Sequence, residues 1–406
     1  MTNSSAKRRK KKLKILKNKS ILLGVSGGVA AYKSVELVRR LREDGASVAV
    51  VMTEASRQFV TPLSLEVASQ NKVFTSLFEA PMAHITLPSD ADLLVVAPAT
   101  ANIIGKFANG IADDLLSTCL LSYRGRVIIA PSMNWRMYEN GMFQENLKKI
   151  TSLPDVIQVG PEKGDLACGE EGMGRMADIA LLVDAAKAAL SKKDLVGEKI
   201  VVTAGPTREY LDPVRFISNR SSGKMGYSMA RAARNRGAEV TLISGPSALK
   251  KPEGIKFFQV ETSGQMGETV QRELRDHATV LIMAAAVADF SPVEKSGSKI
   301  EKNDELLLKL RCTEDIISAV AMRDKRPFII GFAAETGKDT RRAAEKMKRK
   351  NMDMIIFNDV TEPDAGFDAD TNRVVIIDKS GETSLDLMEK DLVAEAILDR
   401  FTEIRA

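Results

Sequence analysis

The stretch ILLGVSGGVAAYKSVELVRRLREDGASVAVVMT, residues 21–53, determines the fold of the first half of the chain. An apolar run that ends in glycines is followed by apolar residues at helical spacing, and after Gly45 a second apolar run occupies residues 47–52. Short apolar runs bounded by glycine indicate buried strands, and the helical repeat between them indicates a connecting helix. The stretch therefore predicts a βαβ unit with two parallel strands.

The same alternation continues on both sides of a polar segment at residues 191–198. Before it come the apolar runs 91–100 and 126–134 with predicted helices over 102–121 and 176–193, and after it a new series begins at 199 and continues to 359. We predict an α/β protein with two doubly wound, mainly parallel sheets. A flavodoxin-like or Rossmann-like domain is expected over 20–190 and a second Rossmann-like domain over 191–406. Ligands of such sheets bind outside the carboxyl ends of the strands.

Composition excludes several classes of protein. The 406 residues are 44% hydrophobic and 28% charged, as in a globular protein, and no apolar run approaches the roughly 20 residues that span a bilayer. Three cysteines without CxxC spacing and two histidines argue against a disulfide framework and against a zinc or other transition-metal centre. We therefore expect a reducing, cytoplasmic location and no membrane partner.

Residues 7–19, KRRKKKLKILKNK, account for the net charge of +5. They hold nine basic residues and no acidic one, which leaves 50 basic and 54 acidic residues in the rest of the chain. A terminal block of like charges is typical of a solvated arm. We expect a disordered tail over residues 1–19 and no nucleic-acid partner.

Ser26, Gly27 and Gly28 stand at the turn from the first strand to the first helix, where backbone N–H groups and the helix dipole suit a phosphate. The glycines at 24, 27 and 28 do not match the GxGxxG spacing of dinucleotide-binding proteins. Glu54, near the end of the second strand, could still bind a ribose. A dinucleotide-dependent oxidoreductase thus remains an alternative.

Three further segments carry small or polar residues: APATAN at 97–102, PSMNWRM at 131–137 and GDLACGEEGMGRM at 164–176. Thr100, Asn102 and Asn134 offer directional hydrogen bonds beside residues small enough to admit a flat ligand. The four glycines around Cys168 predict a backbone that is neither helix nor strand.

In this order the motifs resemble the flavin-dependent cysteine decarboxylases, over about residues 20–190, with Ser132 where bacterial members commonly have alanine. The resemblance implies an FMN site at Gly24, Ser26, Gly27, Gly28, Thr53, Pro98, Ala99, Thr100 and Asn102. It further implies that Asn134 holds the substrate carboxylate, that His84 acts as acid, base or polarising group, and that Cys168 protonates the enethiol. Oxidation of the substrate's thiol group supplies the electron sink that decarboxylation needs.

The second half holds AGPTREYLDPVRFISNRSSGKMG at residues 204–226. Ser218 and Met225 occupy positions where a P-loop needs glycine and Ser or Thr, so the segment is not a P-loop. Ser221, Ser222 and Gly223 at a helix N-terminus could nevertheless hold a phosphate.

Over residues 191–403 the motif order resembles phosphopantothenate–cysteine ligase, whose bacterial form activates the acid with CTP as an acyl-cytidylate. The resemblance implies that Arg215 and Asn219 stabilise the acyl intermediate, with Lys299 also at the catalytic centre. It assigns nucleotide binding to Asp289, Lys299, Thr313, Glu314, Asp315, Ile316, Phe332, Lys346 and Lys350. Lys346 and Lys350, four residues apart on a helix, suit a polyphosphate bridged by Mg²⁺, whose ligands the sequence leaves unknown.

Two positions depart from the ligase pattern. Glu314 stands where proline is usual, and Glu301 stands where a second lysine is usual. Both add negative charge to the triphosphate region, and Lys302 is a candidate to compensate.

The combined prediction is a bifunctional enzyme of coenzyme A synthesis that uses FMN, Mg²⁺ and CTP. The alternative is a non-catalytic flavoprotein that serves as a regulatory subunit, which the retained Cys168 and the complete second half disfavour. The resemblance also implies trimers through the first domain and dimers through the second, hence a dodecamer.

Overall fold

The computed structural model describes residues 14–165, 169–302, 304–362 and 364–405. In it the chain divides between Ser191 and Lys192 into two units, each with its own sheet. Cys168 and the first 13 residues of the predicted basic tail lie outside the described residues.

The first unit alternates strands and helices from Ser20 to Leu190. Its strands are β1 (Ser20–Val25), β2 (Ser47–Met52), β3 (Val73–Phe74), β4 (Leu93–Ala99), β5 (Val127–Pro131), β6 (Val156–Gln158), β7 (Glu162–Asp165) and β8 (Glu171–Arg175). Its helices are α1 (Lys33–Glu43), α2 (Pro62–Ser69), α3 (Ala83–Ser89), α4 (Ala101–Ala108), α5 (Leu115–Ser122), α6 (Trp135–Tyr138), α7 (Gly141–Thr151) and α8 (Ile179–Leu190).

The main sheet of this unit has the order β3-β2-β1-β4-β5-β6, and every pair is parallel. Its central strands are near-continuous runs of Val, Leu and Ile because helices cover both faces. This is the Rossmann order rather than the flavodoxin one, and it confirms the predicted α/β class. The order reverses between β1 and β4, which is where such sheets open a crevice for a ligand.

The helix predicted over residues 102–121 is wrong in extent, because it is two helices. Gly110 follows the end of α4 with φ of +68°, and Asp114 begins α5 by accepting a hydrogen bond from the N–H of Ser117. A left-handed residue followed by a capping aspartate ends one helix and starts the next.

The cysteine-containing segment also differs from the prediction. Its two flanks form an antiparallel hairpin of β7 and β8 rather than irregular backbone. Gly174 shows why glycine is needed there: it has φ of +150°, and a Cβ would lie 2.0 Å from the carbonyl oxygen of Met133. The glycines therefore allow close packing of a strand, not an open loop.

The tail predicted over 1–19 ends earlier than expected. Leu16 is 1% exposed and packs in the core of the first unit, and its N–H donates a 2.8 Å hydrogen bond to the carbonyl of Asp44. The apolar residues in the basic segment account for this packing.

The second unit contains a larger sheet and several short hairpins. Its strands are β9 (Lys199–Ala204), β10 (Arg208–Tyr210), β11 (Phe216–Ser218), β12 (Glu239–Ser244), β13 (Lys256–Gln259), β14 (Val280–Met283), β15 (Phe290–Pro292), β16 (Leu310–Cys312), β17 (Phe328–Glu335), β18 (Met354–Asp359), β19 (Thr371–Asn372), β20 (Val375–Asp378), β21 (Gly381–Ser384) and β22 (Met388–Glu389). Its helices are α9 (Lys224–Asn235), α10 (Ser263–Glu273), α11 (Ile316–Ala321), α12 (Arg341–Arg349) and α13 (Lys390–Arg405).

The sheet of this unit runs β13-β12-β9-β14-β17-β18-β20-β21. The first six strands are parallel, as predicted. Strands β20 and β21 add an antiparallel edge that the sequence did not predict. One apolar core packs α9 and α13 on one face, and another packs α10, α11 and α12 on the other. No helix among the described residues is long and apolar enough to cross a membrane.

Candidate functional site

A cavity of about 1070 Å³ opens at the reversal of strand order in the first unit. Its walls come from the segments that follow β1, β2, β4 and β5 and from the hairpin of β7 and β8. The volume is at the upper end of the range for small-molecule sites, so the cavity has room for a cofactor and a substrate together.

Seven of the predicted first-unit residues meet in this cavity, although they lie far apart in sequence. They are Ser26, Gly27, Gly28, Thr53, Thr100, Asn102 and Asn134. All follow the carboxyl end of a strand, so parallel strand pairing brings them to one edge of the sheet.

Ser26 joins two of these segments. Its buried hydroxyl donates a 2.8 Å hydrogen bond to the carbonyl of Pro98 and accepts one of 2.9 Å from the N–H of Thr100. The serine thereby holds the turn after β1 against the turn after β4. Its side chain shapes the cavity wall, and the glycines that follow present backbone to the cavity.

The surroundings of Thr53 indicate that its hydroxyl group bonds to a ligand. Its Oγ1 atom is buried and has no hydrogen-bond partner among the described residues, and the residue lines the cavity. Buried hydroxyl groups in native proteins are nearly always hydrogen-bonded. A ligand oxygen in the cavity would satisfy this hydroxyl, so the cavity fits a polar cofactor such as FMN.

Asn134 begins the short helix α6 and lies in the cavity wall. Its Oδ1 accepts a 2.9 Å hydrogen bond from the N–H of Arg136, which fixes the side chain at the helix start. Glu170 ties the cysteine segment to this helix, because its carboxylate accepts hydrogen bonds of 2.7 Å from Trp135 Nε1 and from Arg136 Nη2.

The described flanks on both sides of residues 166–168 reach the cavity. Asp165 precedes these residues and Arg175 follows them on the hairpin, and both line the cavity. The Cys168 thiol lies outside the described residues, so its role stays a prediction. Cys119, by contrast, is a core thiol, and its burial raises its pKa to about 12.

Four predicted first-unit residues do not line the cavity. Pro98 and Ala99 are buried in β4, and Gly24 packs under α5, where a Cβ would lie 2.3 Å from Leu116 Cδ1. His84 lies on α3, where its carbonyl accepts a 2.6 Å hydrogen bond from the hydroxyl of Ser122 on α5. Glu54 does line the cavity, but its carboxylate pairs with Arg57 at 2.7 Å, which weakens the dinucleotide alternative.

In the second unit, Asp212 organises the segments that carry the predicted catalytic residues. Its buried carboxylate accepts hydrogen bonds of 2.7 Å from the N–H groups of Val214 and Arg215 and of 3.1 Å from that of Ile300. Desolvation opposes the charge, but these hydrogen bonds outweigh it and lower the pKa of Asp212. Arg215 Nη1 also donates to the carbonyl of Ile300 at 3.1 Å, so the Arg215 side chain lies against the backbone of the segment that carries Lys299.

Asn219 and Thr313 attach to the segment after β14. Asn219 Nδ2 donates to the carbonyl of Val287 at 2.9 Å. The N–H of Thr313 donates to the carbonyl of Asp289 at 3.0 Å and its hydroxyl to that of Ala288 at 2.7 Å. The carboxyl end of β14 is thus the meeting point for these predicted residues.

Lys346 and Lys350 form a second cluster at the end of α12. Lys350 Nζ lies 2.9 Å from Asp315 Oδ2, whereas Lys346 is partly buried. Burial lowers the pKa of Lys346 and nearby Lys350 lowers it further, while Glu335, Asp289 and Asp315 oppose the shift. The cluster can therefore accept an anion next to its carboxylates.

Three further predicted nucleotide residues, Phe332, Ile316 and Glu314, have other surroundings, and their nucleotide-binding role stays a prediction. Phe332 packs in the core with α9 and α13, on the sheet face opposite α12, and Ile316 is a core residue at 5% exposure. Glu314 borders a separate cavity of about 270 Å³ beside α10.

The N-terminus of α9, a predicted phosphate site, is covered by residues 366–370. Ser222 donates to the carbonyl of Phe367 at 2.6 Å, and Lys224 pairs with Asp370 at 2.8 Å. The buried ammonium group of Lys390 holds this segment by donating to the carbonyls of Gly366, Phe367 and Ala369.

Sequence reasoning missed Lys33, Lys106, Arg175 and Asp212. Lys33 follows the glycine turn closely and could have been found as the first charged residue of the helix. No local sequence pattern around Lys106 or Arg175 indicates that these residues line the cavity. No group of three or more His, Cys, Asp or Glu side chains arranged for a metal ion occurs in the described part of the chain.

Comparison with known proteins covers both halves. A family model described as Flavoprotein matches residues 9–191, and one described as the DNA/pantothenate metabolism flavoprotein C-terminal domain matches residues 195–404. A solved structure, the C-terminal domain of the coenzyme A biosynthesis bifunctional protein CoaBC, is 38% identical, covers 52% of this chain and 98% of its own and has a TM-score of 0.46.

Two curated relatives match nearly the whole chain. The coenzyme A biosynthesis bifunctional protein CoaBC of Vibrio cholerae is 44% identical over 94% of this chain and 98% of its own length. The protein of the same name from Escherichia coli is 45% identical over 95% of this chain and 97% of its own length. The chain therefore belongs to the family of coenzyme A biosynthesis bifunctional proteins.

Proposed function

We propose that this chain catalyses two consecutive steps of coenzyme A synthesis. The second unit joins 4′-phosphopantothenate to L-cysteine at the expense of CTP, and the first decarboxylates 4′-phosphopantothenoylcysteine to 4′-phosphopantetheine with FMN. The observation that carries the decarboxylase half is the single cavity in which the glycine turn, the APATAN segment and the PSMN segment meet. The family membership supports both halves.

FMN is held in this proposal by the turn of Ser26 to Gly28 and by Thr53, Thr100 and Asn102. The Thr53 hydroxyl supplies a donor that none of the residues described in the structure uses. Bound FMN contributes redox chemistry that creates an electron sink beside the substrate carboxylate.

The chain's own residues orient the substrate and move the proton. Asn134 binds the carboxylate that leaves as CO₂. Cys168 protonates the enethiol carbon after decarboxylation; its thiol suits the role because an ordinary cysteine is mostly protonated at pH 7. His84 stays a predicted acid, base or polarising group, since its side chain does not line the cavity.

The ligase half is assigned to the carboxyl ends of β14 and β17. A carboxylate oxygen of 4′-phosphopantothenate attacks the α-phosphorus of CTP and releases pyrophosphate, and the cysteine amine then displaces CMP from the acyl-cytidylate. Lys346 and Lys350 meet the triphosphate with Mg²⁺, and Arg215 and Asn219 stabilise the acyl intermediate. Asp289, Lys299 and Thr313 complete this centre.

An assay of the purified chain with 4′-phosphopantothenate, cysteine, Mg²⁺ and either CTP or ATP tests the proposal. We expect pyrophosphate release with CTP and CO₂ release that follows it. Absence of both products would refute the proposal. Pyrophosphate release with ATP alone would refute the choice of nucleotide.

Cys168→Ser separates the two steps. We expect pyrophosphate release to be unchanged and 4′-phosphopantetheine formation to stop, because the variant lacks the proton donor. Mass spectrometry would detect the accumulated decarboxylated, oxidised product. Normal 4′-phosphopantetheine formation would contradict the role of Cys168, and Cys312→Ser, at an exposed thiol, is the matched control.

We further propose a cytoplasmic homo-oligomer with trimers through the first unit and dimers through the second, and without a nucleic-acid or membrane partner. Fusion of the two units raises the effective concentration of 4′-phosphopantothenoylcysteine, the product of the second unit, at the decarboxylase site of the first unit. Light scattering of the full chain should give a mass of twelve copies.

A further inference from the structure

The ammonium group of Lys390, the first residue of α13, has no role in the chemistry described above. The residue is 6% exposed, and its Nζ donates hydrogen bonds to the carbonyls of Gly366 and Phe367, each at 3.2 Å, and to that of Ala369. A protonated lysine has three N–H donors. All three are therefore used by residues 366–370, which we call the strap.

The strap lies against the start of α9. The hydroxyl of Ser222 donates a 2.6 Å hydrogen bond to the carbonyl of Phe367. Lys224 Nζ donates to the carbonyl of Asp368 at 2.7 Å and to Asp370 Oδ1 at 2.8 Å. The strap therefore sets the orientation of two side chains at the beginning of this helix.

The start of α9 is continuous with a residue assigned to the ligase centre. Asn219 precedes Ser222 by three positions, and its Nδ2 donates a 2.9 Å hydrogen bond to the carbonyl of Val287, after β14. Helix α9 packs on β9, and β9 pairs with β14. Residues 219–224 are thus fixed at one end by the strap and at the other by the segment after β14.

The hold on the strap depends on the charge of Lys390. Burial and, to a smaller extent, the charge of Lys224 lower the pKa of Lys390 to about 8, against the opposing effect of Asp370 and Asp368. A neutral amine has only two N–H donors, so deprotonation leaves one of the three strap carbonyls without its donor. Loss of the donor to a buried carbonyl is unfavourable and loosens the strap.

We propose that Lys390 is a positioning residue of the ligase, an inference that rests on the proposed function. Its ammonium group fixes the strap, the strap orients the start of α9, and the start of α9 holds Asn219 at the carboxyl end of β14. Lys390 itself touches no substrate in this role. Its charge controls the rate of the ligase and not that of the decarboxylase, whose cavity belongs to the first unit.

The test compares the full-length wild-type chain with Lys390→Met, Asp368→Asn and the control Lys379→Met. Lys379 is an exposed lysine between β20 and β21. Pyrophosphate release with CTP is measured between pH 6.5 and pH 9.5. Release of CO₂ from added 4′-phosphopantothenoylcysteine, measured in the same buffers, reports on the first unit, and circular dichroism reports on the fold.

We expect Lys390→Met to lower kcat for pyrophosphate release about tenfold at pH 7, the size of one lost charge-assisted hydrogen bond, with little change in KM for CTP. Because the protonated form of Lys390 holds the strap, wild-type kcat should fall as pH rises through about 8. Lys390→Met should lack this fall. Lys379→Met should behave as wild type, and the decarboxylase rate should be the same in all the chains.

Asp368→Asn supplies a second test that leaves Lys390 in place. Asp368 raises the pKa of Lys390, so its loss should move the fall in kcat to lower pH. The ion pair of Asp368 with Arg220 joins two exposed side chains, so breaking it costs the fold little.

Two outcomes would overturn the inference. Equal kcat in Lys390→Met and Lys379→Met at pH 7 would show that the ligase does not need the ammonium group. A fall above pH 8 that persists in Lys390→Met would assign the pH dependence to another group. If Lys390→Met does not fold, Asp368→Asn decides: a fall at lower pH supports the inference, and an unmoved one overturns it.

A wild-type chain that releases no pyrophosphate would instead refute the proposed function. Hydrogen exchange at the start of α9, residues 224–228, still tests the role of Lys390 in that case. Exchange is measured at pH 7 and pH 9 and corrected for the intrinsic rate. Lower protection at pH 9 supports the hold on the strap, and equal protection overturns it.

Discussion

Two hydroxyl groups at the edge of the first sheet differ in their role: one forms hydrogen bonds within the fold, and the other is available to a ligand. The Ser26 hydroxyl is fully used, because it donates to Pro98 and accepts from Thr100. The Thr53 hydroxyl is buried and has no hydrogen-bond partner in the described part of the chain. Both were predicted from motifs as cofactor residues, and only their hydrogen bonds distinguish a residue that builds the wall from one that faces the ligand.

Thr53→Val should weaken FMN binding while leaving the fold intact. The valine keeps the shape of threonine but cannot donate, and one hydrogen bond is worth about 1 kcal/mol, which corresponds to roughly fivefold in affinity. Flavin fluorescence titration of the apoprotein measures the change. Thr86→Val, on the exposed surface of α3, is the control. Unchanged FMN affinity in Thr53→Val would contradict the assignment.

At the scale of elements, α12 brings basic side chains to the carboxyl end of the second sheet. Ala343 and Met347 bury one side of the helix in the core, which leaves Lys346 partly buried and Lys348 exposed. Lysines that look equivalent in the run KMKRK therefore have different surroundings.

Lys346→Met should raise KM for CTP about tenfold, because the triphosphate loses one charge-assisted contact. Lys348→Met is the matched control and should leave KM for CTP unchanged. Initial rates of pyrophosphate release measure both, and the decarboxylase rate should be the same in each variant. Equal effects of the two substitutions would indicate a general effect of charge rather than a specific contact.

Strand β20 and helix α13 are joined by Asp378 and Arg400. Arg400 Nε donates to Asp378 Oδ2 at 2.7 Å, and Asp378 is 7% exposed. Desolvation opposes the charge of this carboxylate, but the hydrogen bonds from Arg400 and Ser380 outweigh it and lower its pKa to about 2.

Because the folded state lowers this pKa, the stabilisation is complete above about pH 5 and is lost as pH falls towards 2. We expect the free energy of unfolding to fall by about 2 kcal/mol from this group across that range. Urea unfolding at pH 5 and pH 3 measures the slope. Asp378→Asn should be less stable at pH 5 and show a smaller loss at pH 3; an unchanged pH dependence would contradict the prediction.

At the scale of the whole molecule, the segment after the first unit is anchored to the second. Arg236 is fully buried and makes ion pairs with Asp194 at 2.6 Å, Asp399 at 2.9 Å and Glu395 at 3.5 Å. Its hydrogen bond lowers the pKa of Asp194, so the pair stays charged. The connecting segment is therefore part of the second unit's structure from Lys192 onwards.

Asp194→Asn should destabilise the second unit by about 2 kcal/mol, because it removes one charge from a buried guanidinium that keeps its other partners. Urea-induced loss of ligase activity measures the effect on this unit. Glu198→Gln, which breaks the more exposed pair with Arg405, should cost less than about 1 kcal/mol. A larger effect of Glu198→Gln would contradict the role assigned to Arg236.

The sequence by itself determined the α/β class, the two series of strands and helices, and the order of the motifs. These features depend on local patterns: apolar runs that suit buried strands, helical spacing of apolar residues, and glycines at turns. The same motifs carry the resemblance to the family, and they predict Ser26, Thr53, Thr100 and Asn134 as residues of the site.

The tertiary structure decided which residues meet. Strand order brings Thr53 and Asn134 to one cavity and leaves His84 outside it, and side-chain alternation in β17 puts Phe332 on the face opposite α12. The pairing of β7 with β8 carries Arg175 to Lys33. Such contacts join residues that are far apart in the chain. They depend on packing and strand pairing, so a local sequence pattern does not predict them.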